Sequence, residues 1–145
     1  MTRRSFILAA AAAVLFSAVP IAARADVPVH VRVIKGSRRG PKQVDPRLDA
    51  LRRQLSALAY VNWQETQERR VTLVKGRTEF VQLPDGDMAG ITLQEERGTI
   101  ATIEVALASR NTQSRLTIEK GQRIVHQVTG ERDGAAFFLT IAVWP

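Results

Sequence analysis

A two-residue hydrophobic period constrains this chain more than any other feature. Val27, Val29, Val31 and Val33 alternate with Pro28, His30, Arg32 and Ile34. Such alternation sets β-branched side chains on one face of a strand. The period returns from Tyr60 onward. Val61/Trp63, Val71/Leu73, Val81/Leu83 and Ile91/Leu93 mark short strands, and Ala101, Ile103, Val105 and Leu107 mark a longer one. Leu116/Ile118 and Ile124/Val128 read as a strand pair joined by Glu119-Lys120-Gly121-Gln122, and Phe137, Leu139, Ile141 and Val143 close the chain. Phe138 lies on the opposite face from these, so the last strand is expected to be central. Turn residues at Pro84-Asp85-Gly86-Asp87 and from Gly130 to Gly134 separate the segments,. The pattern predicts a mainly β fold, an antiparallel β-sandwich or small barrel of about eight or nine strands.

One segment breaks the period. Leu48, Leu51, Leu55 and Leu58 fall on one helical face, with Arg47, Asp49, Arg52, Arg53 and Gln54 on the others,. Asp45 is placed to cap the first free N–H groups, and Pro46 suits the first helical position. A helix is therefore expected near 46–58, packed over one end or edge of the sheets.

Residues 1–25 read as a cleaved signal peptide. Arg3-Arg4 precede an apolar run from Phe6 to Val19, broken by Ser17, and Ala23-Arg24-Ala25 supplies small residues for cleavage after Ala25,. The run is short for a membrane span, which takes about 20 apolar residues. The paired arginines resemble the twin-arginine export motif. Residues 26–145 then form a single all-β domain, periplasmic or secreted, with no transmembrane anchor after cleavage.

The absence of cysteine rules out disulfides, thiolate metal sites, cysteine nucleophiles and lipidation on an N-terminal cysteine,. The full chain carries a net charge of +7, and loss of Arg3, Arg4 and Arg24 with the signal leaves +4. An exported, mildly basic protein is expected to meet an envelope protein or an anionic glycan or lipid, and not nucleic acid.

Catalytic chemistry finds little purchase. His30 and His126 form no ligand pair at helix or strand spacing, so no metal site is expected. His126 falls on an inward face and reads as a core-edge residue with a satisfied hydrogen bond. No serine sits in a nucleophile turn. Asp85 and Asp87 lack the rest of a calcium loop and read as a hairpin turn. Trp63 reads as a lid on the core near the helix. No cofactor motif is present. The most suggestive surface feature is the loop that follows the first strand, where Lys35, Arg38, Arg39 and Lys42 are interleaved with Gly36 and Gly40. It is no P-loop, being one residue short and carrying Gln43 where Ser or Thr should stand. It can still dock an anion or an acidic partner.

The strand and basic loop, Asp45-Pro46-Arg47-Leu48-Asp49-Ala50-Leu51, Leu83-Pro84-Asp85-Gly86 and the closing Phe137–Val143 strand together resemble a group of small exported all-β proteins of Gram-negative bacteria. The resemblance implies the fold order and an envelope location, and supplies no catalytic residue. The expectation is a non-enzymatic binding or assembly module of the cell envelope that contacts an anionic partner through Lys35, Arg38, Arg39 and Lys42. The alternative is a glycan-acting hydrolase using a carboxylate pair that no motif marks.

Overall fold

Alternation along β1 (Asp26–Ser37) sorts its side chains onto two faces, and the rest of the fold is built on both. The computed structural model describes residues 26–109 and 111–144. The signal-peptide reading, with Arg3, Arg4 and cleavage after Ala25, lies outside the described residues. After β1 come β2 (Gln43–Val44), a 3₁₀ segment (Pro46–Leu51) that runs into α1 (Arg52–Ser56), then β3 (Asn62–Val74), β4 (Thr78–Gln82) and β5 (Met88–Arg97). β6 (Ile100–Leu107), β7 (Thr112–Glu119), β8 (Arg123–Gln127) and β9 (Ala135–Val143) complete the chain.

The nine strands form two sheets. One has the order β2-β3-β1-β9-β8 and the other β4-β5-β6-β7. Their facing sides share one core, in which Val27, Val29, Val31 and Val33 of β1 meet Ile91, Ile103 and Val105 of the other sheet. All pairs are antiparallel except β2 with β3. β9 lies inside its sheet, between β1 and β8, as its two apolar faces require.

The outer face of the five-stranded sheet carries a second core. Leu48, Leu51 and Leu55 are buried there against Ile34, Trp63, Ala136 and Phe138. The three-residue step from Leu48 to Leu51 is one turn of 3₁₀ helix, and the four-residue step to Leu55 fits an α turn, so both segments turn leucines inward. Asp45 caps the 3₁₀ segment by accepting from the Arg47 N–H at 3.1 Å. The expected helix is thus present, in two conformations and ending at Ser56.

Two expectations need correction. The segments marked by Val61/Trp63 and Val71/Leu73 are one long strand, β3. A bulge joins them: Val33 pairs with Gln67 and Ile34 with Glu65, leaving Thr66 as the extra residue. The bulge exchanges the faces. Trp63 consequently joins the outer core while Leu73, of the same parity, joins the inner one. The second correction concerns the turn at 119–122. It does not join a hairpin, because β7 pairs with β6 and β8 with β9, so the chain crosses there from one sheet to the other.

Candidate anion-binding cleft

The inward parity of β1 continues past Val33 to Lys35. The inner core ends at Val33, and Lys35 with its cross-strand neighbour Phe137 lines a cleft of about 380 Å³ at the end of the sandwich. Arg39 enters the same cleft from the loop after β1, and Arg132 enters from the hairpin between β8 and β9. Arg132 lies far from the basic loop in sequence, and no local pattern marks it.

Hairpin geometry explains how Arg132 is presented. Asp133 and Gly134 have φ of 54° and 77°, the two left-handed residues of a tight Asp-Gly turn. Paired bonds between Arg132 and Ala135, N···O 2.8 and 3.0 Å, close the turn. The Arg38 N–H donates to the Gly134 carbonyl at 2.8 Å, tying the basic loop to this hairpin. The Arg39 side chain lies across Gly134, where an added Cβ would sit 3.4 Å from Nε. The loop and the hairpin therefore form one wall. Asp85 of the β4–β5 turn and Asp133 add two carboxylates to the lining. Among the described residues, none of Lys35, Arg39, Arg132, Asp85 and Asp133 belongs to an ion pair.

The four basic residues expected on one loop thus divide, and Lys35 belongs to β1, which runs on to Ser37. Lys35 and Arg39 share the cleft. Arg38 turns away: its guanidinium bonds the Glu131 carboxylate, donates to the Ala59 carbonyl at 3.1 Å, and lies 5.0 Å from the centre of the Tyr60 ring. The Glu131 contact raises its pKa. Arg38 anchors the loop. Lys42 is exposed beside β2 and is not part of the cleft lining.

A second charged cluster lies on the outer face of the five-stranded sheet. Asp45 accepts from Nη2 of Arg47 at 2.9 Å and from the Glu65 N–H at 3.1 Å. The Arg47 hydrogen bond holds the Asp45 pKa down to about 2. Glu65, with only 3% of its side chain exposed, faces Arg47 at 3.4 Å and Arg32 at 3.6 Å. Burial pushes its pKa up despite both arginines,. Asp45, Glu65, Arg47 and Trp63 line a cavity of about 250 Å³. These bonds clamp the start of the helical segment to β3. Next along the sheet, Nε2 of His30 lies 2.5 Å from Oε1 of Glu68, and the His30 ring stacks at 6.5 Å on Trp144. His30 is on the polar face, as its parity requires, yet it is buried.

His126 points inward, into a cavity of about 390 Å³ lined also by Val105, Leu107 and Ser114. Burial lowers its pKa. The expected hydrogen bond is not found: among the described residues no group bonds its ring. Trp63 is the buried lid that the sequence suggests, 5.0 Å from Phe138 between ring centroids. The Asp85–Asp87 segment is a hairpin turn in which the Asp87 N–H donates to Asp85 at 2.9 Å. No group of three His, Asp or Glu able to hold a metal occurs among the described residues, nor does a helix long and apolar enough to cross a membrane. No protein-family model, curated protein or solved structure matches this chain.

Proposed function

We propose that this protein is an exported, non-enzymatic binding module of the bacterial cell envelope. It docks a phosphate or carboxylate, carried by an envelope glycan, lipid or protein, in the cleft at the end of the sandwich. One observation carries the reading: Lys35 at the end of β1, Arg39 in the loop after it and Arg132 in the distant β8–β9 hairpin converge on one cleft without an ion pair among the described residues. Converging cations repel, and a bound anion replaces that repulsion with charge-assisted hydrogen bonds, each contributing about 1.5–3 kcal/mol. Asp85 and Asp133 limit the net positive charge, which favours one anionic group over a polyanion. The Arg3-Arg4 pair and Ala23-x-Ala25 support export to the periplasm or beyond,.

The test compares wild type with Arg39→Ala/Arg132→Ala in recovery of partners from an envelope fraction at rising salt. Lys42→Ala, outside the cleft, is the control. The double variant should lose recovery, Lys42→Ala should retain it, and salt should weaken wild-type binding. Equal recovery by the double variant refutes the cleft. For export, N-terminal sequencing of the native protein should begin at Asp26, and an uncleaved cytoplasmic form refutes it.

A second reading rests on Asp45 and Glu65, which line one cavity and are driven to opposite acidities. Opposed acidity is what a glycan-acting acid pair requires. Hydrolysis of an envelope glycan, abolished by Glu65→Gln in a folded variant, would establish this reading in place of the first.

A further inference from the structure

The sheets end at β2, β8, β4 and β7, with β3 uncovered where the two-residue β2 stops, and these edges are not equally open to a new neighbour. β3 is covered by β2 at Asn62 and Trp63, and at Glu65 its N–H donates to Asp45 while its carbonyl accepts from Arg47 at 3.3 Å. On β4, the Phe80 carbonyl accepts from Nη1 of Arg69 at 2.7 Å, whereas, among the described residues, 67–74 of β3 pair only with β1. On β8, Gln54 donates to the Arg123 carbonyl at 3.2 Å. β7 is open as a whole strand. It is eight residues long. Among the described residues, only the turn bond at Glu119 reaches its main chain from outside its pairing with β6. A long edge with free N–H and C=O groups is a template for another strand.

The side chains of β7 specify which strand. Gln113, Arg115, Thr117 and Glu119 are exposed on the outer face, while Leu116 is half-buried and Ile118 buried on the inner face. We propose that β7 pairs antiparallel with β7 of a second copy of this chain, about a two-fold axis through Thr117. In that register Arg115 of each copy stands opposite Glu119 of the other, and Thr117 stands opposite itself. Leu116 stands opposite the other copy's Ile118 on the inner face, which covers the half-exposed leucine. Opposite-charge and Thr–Thr pairs are among the stabilising cross-strand combinations. Other registers are worse. A slip of one residue exchanges inner and outer faces. Moving the two-fold to Leu116 or Ile118 separates both charge pairs, and moving it to Arg115 or Glu119 sets like charges face to face. Arg115 already faces Glu104 of β6, so the register places each arginine between two carboxylates. The contact is isologous and closes at two copies. It is independent of the anion-binding cleft, to which β7 contributes nothing.

One strand pair is a small interface, so self-association belongs to the weak class and is measured by sedimentation of the full chain over about 1–500 µM. Wild type should pass from monomer to dimer in that range. Glu119→Arg and Arg115→Glu should each weaken association by about tenfold or more, since two attractions become two repulsions. The double exchange Arg115→Glu/Glu119→Arg should restore it to within about threefold of wild type. Thr117→Lys, at an exposed position, should weaken association through like charges on the axis, and it serves if a charge exchange beside Glu104 disturbs folding. A wild type that stays monomeric throughout, association indifferent to Glu119→Arg and Thr117→Lys, or a well-folded double exchange that fails to restore it would overturn the proposal.

Discussion

Leu55→Ala tests whether the helical segment belongs to the folding unit or rests on it. The segment is six residues of 3₁₀ helix and five of α-helix, far too short to persist alone. It is held by the Asp45–Arg47–Glu65 clamp and by its leucines. Leu55 is 0% exposed and lies in a cluster with Leu48, Leu51, Ile34, Trp63 and Phe138. Truncating a buried leucine costs about 2–5 kcal/mol, depending on how far the site collapses. Here the sheet side is walled by the Trp63 and Phe138 rings and cannot close in, while the short helix can shift. That balance places the expected loss at about 3 kcal/mol, a large part of the roughly 5–15 kcal/mol of a typical domain. Urea unfolding in a Trp144→Phe background leaves Trp63 as the only tryptophan, buried in this cluster. The midpoint should fall with unchanged slope, and Trp63 emission should coincide with far-ultraviolet circular dichroism of the sheets. A loss under about 0.5 kcal/mol, at the level of a surface substitution, or Trp63 unfolding well ahead of the sheets, would show that the outer core is not part of one cooperative unit.

Gly36→Ala should destabilise by about 1–3 kcal/mol, because its Cβ would lie 2.8 Å from the buried Trp63 ring and 3.1 Å from the half-buried Tyr60 ring. An unchanged melting temperature would contradict that packing. Asp45→Asn should lower stability at neutral pH. The folded carboxyl sits at about 2, below its ordinary 3.8, so its contribution is present above pH 3.8 and lost as pH falls toward 2. Between those limits the variant should lose less stability than wild type. Glu65 has the opposite sign. Its folded pKa is raised above 4.5, so its contribution is present below that pH and lost as pH rises through the raised value. Glu65→Gln should therefore cost less than Asp45→Asn at pH 7, and the reverse order in thermal melts would refute the assignment.

The parts of the fold carried by local periodicity were legible. The Val27–Val33 alternation, the leucine spacing and the Asp45-Pro46 start each define an element without reference to distant residues. What escaped depends on pairing across the chain. Parity alone puts Trp63 and Leu73 on one face, and only the bulge opposite Val33 and Ile34 separates them. Glu119–Gln122 looks like a hairpin turn until β6 and β9 are known to claim its flanking strands. The two residues of β2 carry no pattern. The same limit governs the candidate site. The basic loop was visible as charge, but nothing in it foretold that Glu131 would take Arg38 away or that Arg132 would join Lys35 and Arg39. Alternation puts His126 on the correct face, while the absence of a bonding partner for its ring among the described residues depends on neighbours from other strands.

The central claim is that the cleft of Lys35, Arg39 and Arg132 accepts an anion. Titrating inorganic phosphate into the isotopically labelled protein, with amide shifts followed by NMR, tests it most directly. The account predicts saturable shifts at Lys35, Arg39, Asp133 and Gly134, none at Lys42, and their loss in Arg39→Ala/Arg132→Ala. Shifts that rise without saturation across all the basic surface, or that persist unchanged in the double variant, would contradict it.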